Sequence, residues 1–389
     1  MQKQATHDII RPLTGLRAVT IAWVTVNHLS VAIKILTPAL KPFVLLSERI
    51  TVRMDLLFLL SGFLMAYVYI RRNEQMNLKG YGRFLWARIA RIYPAYLAAV
   101  LVLILEVSLC RLLHFPINPD HYRLQVLPFR LALLQAWPYF SDVKVAWNYP
   151  TWFLSALWFA YLFAIPCVWK MFPKIRVSRF SLLWVFTPIL AYMLLREFAG
   201  LREFFWVLQA SCEIIAGGAL CAVYLKRKPL VAAMQKHLDK IVLVFLVSFV
   251  LIVLIPSPLA AKAINLLLLL VCPLLLMGLT AERSLISNLL ATRPFLWLGE
   301  ISYSLFVSHM AVVMPLGRLL PPERFASSPV ALRYALVAFE VFAVLIVAVA
   351  FYKFVEVPCA KALKQLSVKR LPNPFGKSKP IPQQVDSFP

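Results

Sequence analysis

Apolar residues run in stretches of membrane length along the whole chain, separated by short segments where lysine and arginine collect. These runs predict about ten transmembrane helices, centred roughly at residues 12–34, 52–71, 93–112, 149–169, 180–195, 204–225, 241–256, 261–280, 299–317 and 331–355. The window from Val126 to Trp137 is also apolar but holds Pro128 and Arg130. It reads as a re-entrant or interfacial piece of the long third-to-fourth connection. The expected fold is all-α, a polytopic integral membrane helical bundle.

Charge adds an orientation. The loop after the second span carries Arg71, Arg72, Lys79, Arg83, Arg88 and Arg91; the fourth is followed by Lys170, Lys174, Arg176 and Arg179; the sixth by Lys226, Arg227, Lys228, Lys236 and Lys240. Lys and Arg gather on the cytoplasmic side, so these alternate loops, and with them both termini, are predicted to be cytoplasmic. The intervening loops are poorer or balanced, as at Arg196, Glu197, Arg202 and Glu203. Residues 1–358 are expected to form the transmembrane domain and 359–389 a basic, proline-rich cytoplasmic tail, disordered from Lys369 onward.

Composition excludes a soluble domain: 61% of the 389 residues are hydrophobic. The net charge of +24 fits the positive-inside signal and attraction to anionic membrane lipids. No aromatic-basic module for nucleic acid is visible, so nucleic acid is not an expected partner. The first apolar stretch is long, contains Arg17 and His28, and lacks a small-residue cleavage pattern, which argues against a cleavable signal peptide. Cys110, Cys167, Cys212, Cys221, Cys272 and Cys359 are scattered without a knuckle or redox spacing, so neither metal nor disulfide is expected.

Candidate chemistry lies inside the apolar spans. Arg17 and His28 are eleven residues apart, about three helical turns and roughly 16 Å, so they share one face of the first span at different depths. Ionisable residues at membrane depth point to a functional site. Asp55, near the start of the antiparallel second span, falls at the depth of His28, where a carboxylate would raise the basicity of an imidazole and fix its tautomer. Each has a plainer reading: an intramembrane histidine also serves as a helix-packing hydrogen bonder, and Asp55 also suits Arg53 as an interfacial partner.

Other residues fall into weaker groups. Arg88 and Arg91 read either as topology signals or as a cation pair for a polyanion such as nucleotide phosphates. His309, mid-span beside Ser302, Tyr303, Ser304 and Ser308, either lines an acceptor cavity or bonds between helices. Glu106, Glu213 and Glu340 should face the bundle interior or an interface; Glu213 is the least favoured, because Gly217 and Gly218 mark close helix packing there. Trp147, Tyr149, Trp152 and Trp158 suit an interfacial belt or a platform for a sugar.

In chain order, several short segments resemble the membrane acyltransferase family 3, which includes bacterial O-acyltransferases of surface glycans. Leu13, Gly15, Leu16 and Arg17 leading to Asn27, His28 and Leu29 are similar to its opening motif, a basic residue, ten positions and a histidine. The segment MDLLFLLSGF, Met54 to Phe63, resembles its second-span signature and is the most specific match. Arg88 and Arg91 with Tyr93 and Pro94, then Trp152, Leu154 and Ser155, then ISYSLFVSH from Ile301 to His309, then Glu356 with Pro358, resemble its later motifs. One departure stands out: where many members have a glutamate after the fourth-span tryptophan, Ala156, Leu157, Trp158 and Phe159 are apolar.

The resemblance implies an O-acyltransferase of the bacterial inner membrane. Its donor would be acetyl-CoA or another acyl-CoA, its acceptor a hydroxyl of a surface or lipid-linked glycan. It implies donor binding by Arg17, Arg88 and Arg91, a base at His28 oriented by Asp55, and acceptor contacts from His309, Tyr303 and Trp152. Cations at one rim with a base deeper in the bundle suit a polyanionic head on a long arm. Two alternatives remain on the sequence alone. One is a transporter or flippase of a lipid-linked or anionic substrate, although no matched pair of broken spans in the two halves is evident. The other is acylation of a small hydrophobic cytoplasmic acceptor.

Overall fold

The structure is a computed structural model that describes residues 10–71, 77–115, 117–138, 140, 147–171, 182–195, 204–255 and 257–370. These form helices α1 (Arg11–His28), α2 (Ser30–Leu36), α3 (Lys41–Arg49), α4 (Arg53–Arg71), α5 (Leu78–Leu112), α6 (Leu127–Leu131), α7 (Trp152–Met171), α8 (Leu183–Leu195) and α9 (Phe205–Lys226). They continue with α10 (Lys228–Lys236), α11 (Leu238–Leu254), α12 (Pro258–Gly278), α13 (Leu285–Leu290), α14 (Arg293–Ser308), α15 (Met310–Leu319), α16 (Val330–Phe351) and α17 (Val357–Arg370). Arg72, the cluster Lys174 to Arg179, the segment Arg196 to Glu203 and the tail beyond Arg370 lie outside the described residues.

Among the described residues, five helical stretches, built on α5, α7, α9, α12 and α16, are long and apolar enough to cross a membrane. The number rises to nine if each of four bent pairs acts as one span. The shorter α8 occupies the described part of the run expected at 180–195. Every run expected to cross therefore has a helix in its place, and what the apolar pattern did not announce is the bending. The chain turns by 63° between α1 and α2 and by 54° between α14 and α15.

At each of these two bends a side chain reaches a carbonyl one turn back. Thr25 turns its hydroxyl back to the carbonyl of Ile21 at 3.0 Å, and His309 places Nδ1 3.2 Å from the carbonyl of Leu305. Side chains that compete for carbonyls one turn back bend helices. The helical hydrogen bonds persist up to each bend: the amide of Leu29 donates to Thr25 and that of His309 to Leu305, each at 3.1 Å.

Helix α5 corrects a second expectation. The basic stretch from Lys79 to Arg91 is the first half of a 35-residue helix, not a loop. Asn77 caps it, accepting from the amide of Gly80 at 2.8 Å, and the helix continues through Pro94. At 1.5 Å per residue it is roughly 52 Å long against about 30 Å of hydrocarbon, so its arginine-rich half extends beyond the apolar layer. That half packs against α17, where Trp86 donates to the carbonyl of Leu363 at 3.1 Å. The connecting segment Val126 to Trp137 holds only the short helix α6 and turns. Its backbone is satisfied inside the protein: Tyr96 donates to the carbonyl of Arg130, Ser155 to that of Leu133, and Ser155 accepts from Ala136.

Helix crossings at four glycines set the spacing of the core. A Cβ on Gly62 of α4 would run into the Ile214 carbonyl of α9, and one on Gly217 of α9 into the Leu59 carbonyl of α4. Gly15 of α1 lies likewise against Leu290 of α13, and Gly299 of α14 against Thr14 of α1. Small residues let backbones approach where lipid offers no hydrophobic drive for helices to associate. By contrast Gly82 of α5 has nothing within 4 Å of its Cβ direction.

Gly62→Leu or Gly217→Leu is expected to lower the melting temperature in detergent markedly, overpacking costing about 1–3 kcal/mol or more. Gly82→Ala should hold or raise it, since alanine in an exposed helix position is favoured by about 0.5–1 kcal/mol. Equal melting of the Gly62 and Gly82 variants would contradict the crossing described.

Candidate active site

The tight packing of α1 on α14 places the two ends of α1 in different surroundings. Near the Arg11 end, Arg17 donates from Nη2 to the carbonyl of Gly299 at 2.5 Å, while its Nε is buried without a hydrogen-bond partner among the described residues. Arg17 lies within electrostatic reach of Arg91, Glu356 and Glu300. Glu356 ends a π-helical turn, Tyr352–Glu356, and accepts from Ser304 at 2.6 Å. Such turns are rare and concentrate at functional sites. Tyr303 donates its hydroxyl to the carbonyl of Ile92, one residue from Arg91. Arg88 is half-buried, with its guanidinium 5.6 Å from the centre of the Phe84 ring, and Arg91 is exposed.

At the other end of α1, half-buried His28 stands at the 63° bend. It is the residue shared by the linings of two cavities, of about 900 and 200 Å³. The larger is walled by Asn27, Arg53, Asp55, Tyr149, Trp152, Trp206, Gln209, Lys262 and Asn265. Trp152 and Trp206 pack with ring centres 3.9 Å apart, giving that wall a broad aromatic surface. The smaller lies between α2, α15 and α16 and includes Glu340 and Glu323 with apolar neighbours.

Asp55 faces the same large cavity as His28, as their depths require, but the two are not hydrogen-bonded to each other. Its carboxylate accepts from Nε2 of Gln209 at 2.8 Å. One turn further along α9, fully buried Glu213 lies against Asp55. Arg53 donates from Nη1 to the carbonyls of Ser47 and Ile50, at 3.2 and 2.6 Å, and lies within electrostatic reach of Asp55 without a hydrogen bond to it. The ring beside His28 is His309, with centres 5.0 Å apart, and Tyr149 lies at 6.1 Å.

The residues expected to line an acceptor site thus separate. Trp152 stands in the large cavity. Tyr303 lies towards Arg91, and His309, fully buried at the α14–α15 bend, sits behind His28 and outside both linings. Of the aromatic group, Tyr149 and Trp152 reach the cavity, while Trp147 is buried and donates to the carbonyl of Arg123 at 3.1 Å. Gln209 and Trp206 were not singled out on sequence grounds. Gln209 carried one legible signal, its i, i+4 spacing from Glu213 on one face of a membrane helix.

A family model, the acyltransferase domain, matches residues 11–353, nearly the whole described bundle. The chain belongs to acyltransferase family 3. No curated protein and no solved structure matches it. The match bears out the family suggested by the motifs at Arg17 to His28 and Met54 to Phe63, and with it a membrane acyltransferase.

Gln209→Leu strips Asp55 of its amide donor, so the variant is expected to be less stable by about 1–3 kcal/mol, the usual cost of leaving a buried polar group unsatisfied. Adding Asp55→Leu should restore much of that loss, because removing both partners of such a pair is close to neutral. Additive losses in a double-mutant cycle of detergent melting would show that the two side chains do not interact.

Proposed function

We propose that this acyltransferase transfers an acyl group, most simply acetyl, from acyl-CoA to a hydroxyl of a surface glycan or lipid-linked glycan. Its setting would be the bacterial inner membrane, with both termini in the cytoplasm. In this reading Arg88, Arg91 and Arg17 engage the anionic head of the donor, and the thin arm carries the thioester along α1 to His28. His28 is the general base: the acceptor O–H bond breaks, its proton passes to the imidazole, and the oxygen bonds to the thioester carbonyl carbon. Collapse of the tetrahedral intermediate breaks the C–S bond, and the proton leaves on the CoA sulfur.

The observation that carries the reading is the position of His28. It ends the helix that holds Arg17 about three turns away, and it borders both cavities. An aromatic surface from Tyr149, Trp152 and Trp206 with the amides of Asn27, Gln209 and Asn265 supports a sugar as the group held in the larger cavity. Asp55, held by Gln209, lines the same cavity as His28.

The test is thiol release from acetyl-CoA by purified protein, with and without a membrane-glycan extract. Release should depend on the extract and fall roughly 10²–10⁴-fold in His28→Ala, the usual contribution of general base catalysis. Retention of more than about a tenth of the rate would remove His28 from that role. Folded wild-type protein that neither binds CoA nor releases thiol would favour a carrier. The Arg88→Gln, Arg91→Gln double variant should lose more affinity for CoA than for dephospho-CoA. Equal losses would assign the two arginines to folding or topology.

A further inference from the structure

Two broken helices meet at their breaks. His28 ends α1 at its bend and His309 separates α14 from α15 at theirs, and the two rings face each other with centres 5.0 Å apart. The state of the His309 ring follows from its partner. A carbonyl only accepts, so Nδ1, 3.2 Å from the carbonyl of Leu305, carries the proton in the neutral ring, and Nε2 presents a lone pair. That Nε2 is buried and has no hydrogen-bond partner among the described residues, an expensive condition for a fully buried ring. Of the rings against it, Phe306 has no donor and His28 has one.

From this geometry we infer that His309 is the positioning residue of His28. Its Nε2 accepts the N–H of the His28 ring and leaves the other His28 nitrogen as the base towards the cavity. The inference rests on the proposed base role of His28. Two imidazoles joined edge to edge through an N–H···N bond of about 2.9 Å have ring centres roughly 5 Å apart, so the observed separation already allows the bond. A rotation of the half-buried His28 ring that turns an N–H towards Nε2 completes it, as catalytic hydrogen bonds often tighten only with substrate bound.

The arrangement is a dyad in which a neutral, tautomer-fixed imidazole takes the orienting place that a carboxylate would hold. Asp55, already engaged by Gln209, does not fill that place. No proton is transferred to His309 in the cycle: the acceptor proton goes to His28 and then to the CoA sulfur, and His309 holds the resulting imidazolium in line. The carbonyl of Leu305 fixes the acceptor lone pair before the substrate arrives, as second partners of functional histidines commonly do.

The experiment combines kinetics with nitrogen spectroscopy on the full-length protein in detergent or nanodiscs. His309→Ala should lower kcat for acetyl-CoA-dependent transfer about 10²-fold with KM for acetyl-CoA within twofold. His309→Gln, whose amide oxygen can accept the same N–H, should recover about tenfold of that loss. In wild-type protein labelled with 15N-histidine and saturated with acetyl-CoA, His309 should show a single tautomer protonated at Nδ1, and a through-space 15N–15N correlation should join it to His28, assigned by its loss in His28→Ala. Unchanged kcat in His309→Ala, equal damage in both His309 variants with KM raised, or a wild-type spectrum without that correlation would each overturn the inference. The spectrum needs no turnover and remains informative if either variant fails to fold. Absence of CoA use by the wild-type protein would instead defeat the acyl-transfer reading.

Discussion

A helix that bends inside hydrocarbon frees backbone donors and acceptors that lipid cannot satisfy, and this constraint governs where the chain can break. At both central bends the helical ladder holds up to the break, with the amide of Leu29 bonded to Thr25 and that of His309 to Leu305. The bends are tolerated because they face each other in the protein interior. The bend after α1 ends its helix where the bundle opens into its cavities, and an imidazole stands at each break.

Glycine crossings decide what those breaks are packed against. With Gly15 against Leu290 and Gly299 against Thr14, α1 lies close enough to α14 for Arg17 to reach the Gly299 carbonyl and for His28 to reach His309. With Gly62 and Gly217 interlocked, α4 lies on α9 so that Asp55 meets Gln209 and Glu213. The same close contacts that hold the bundle without a hydrophobic drive therefore place its few buried polar groups in reach of one another. A carboxylate or guanidinium left alone at that depth would be costly, and hydrogen bonds from Gln209 to Asp55 and from Arg17 to Gly299 offset part of that cost.

Much of this arrangement is legible in the residue order. Apolar run length located a helix for every expected span, and the eleven-residue interval from Arg17 to His28 put both on one helix face. Depth alone brought Asp55 to the cavity of His28. The partner choices were not legible, because they depend on which helices cross and at what rotation. Depth matching cannot distinguish Asp55 from His309 as the neighbour of His28, and His309 lies more than 280 residues away in the chain. The bends are not legible either, since the residues around them keep the apolar pattern while the helix axis turns. The helical form of Lys79 to Arg91 was obscured by its charge, which reads as loop when only hydropathy is counted and as helix once Asn77 is recognised as a cap.

The central claim is that one donor molecule spans the bundle, with its anionic head at the arginine end of α1 and its acyl group at His28. Photolabelling with a CoA thioester carrying a diazirine at the end of its acyl chain tests this most directly. The account predicts adducts on residues around His28, Tyr149 and Trp152, lost on competition with acetyl-CoA and weakened by Arg88→Gln, Arg91→Gln. Competable adducts confined to the surface of α5 and α17, with none at the wall of the His28 cavities, would contradict it.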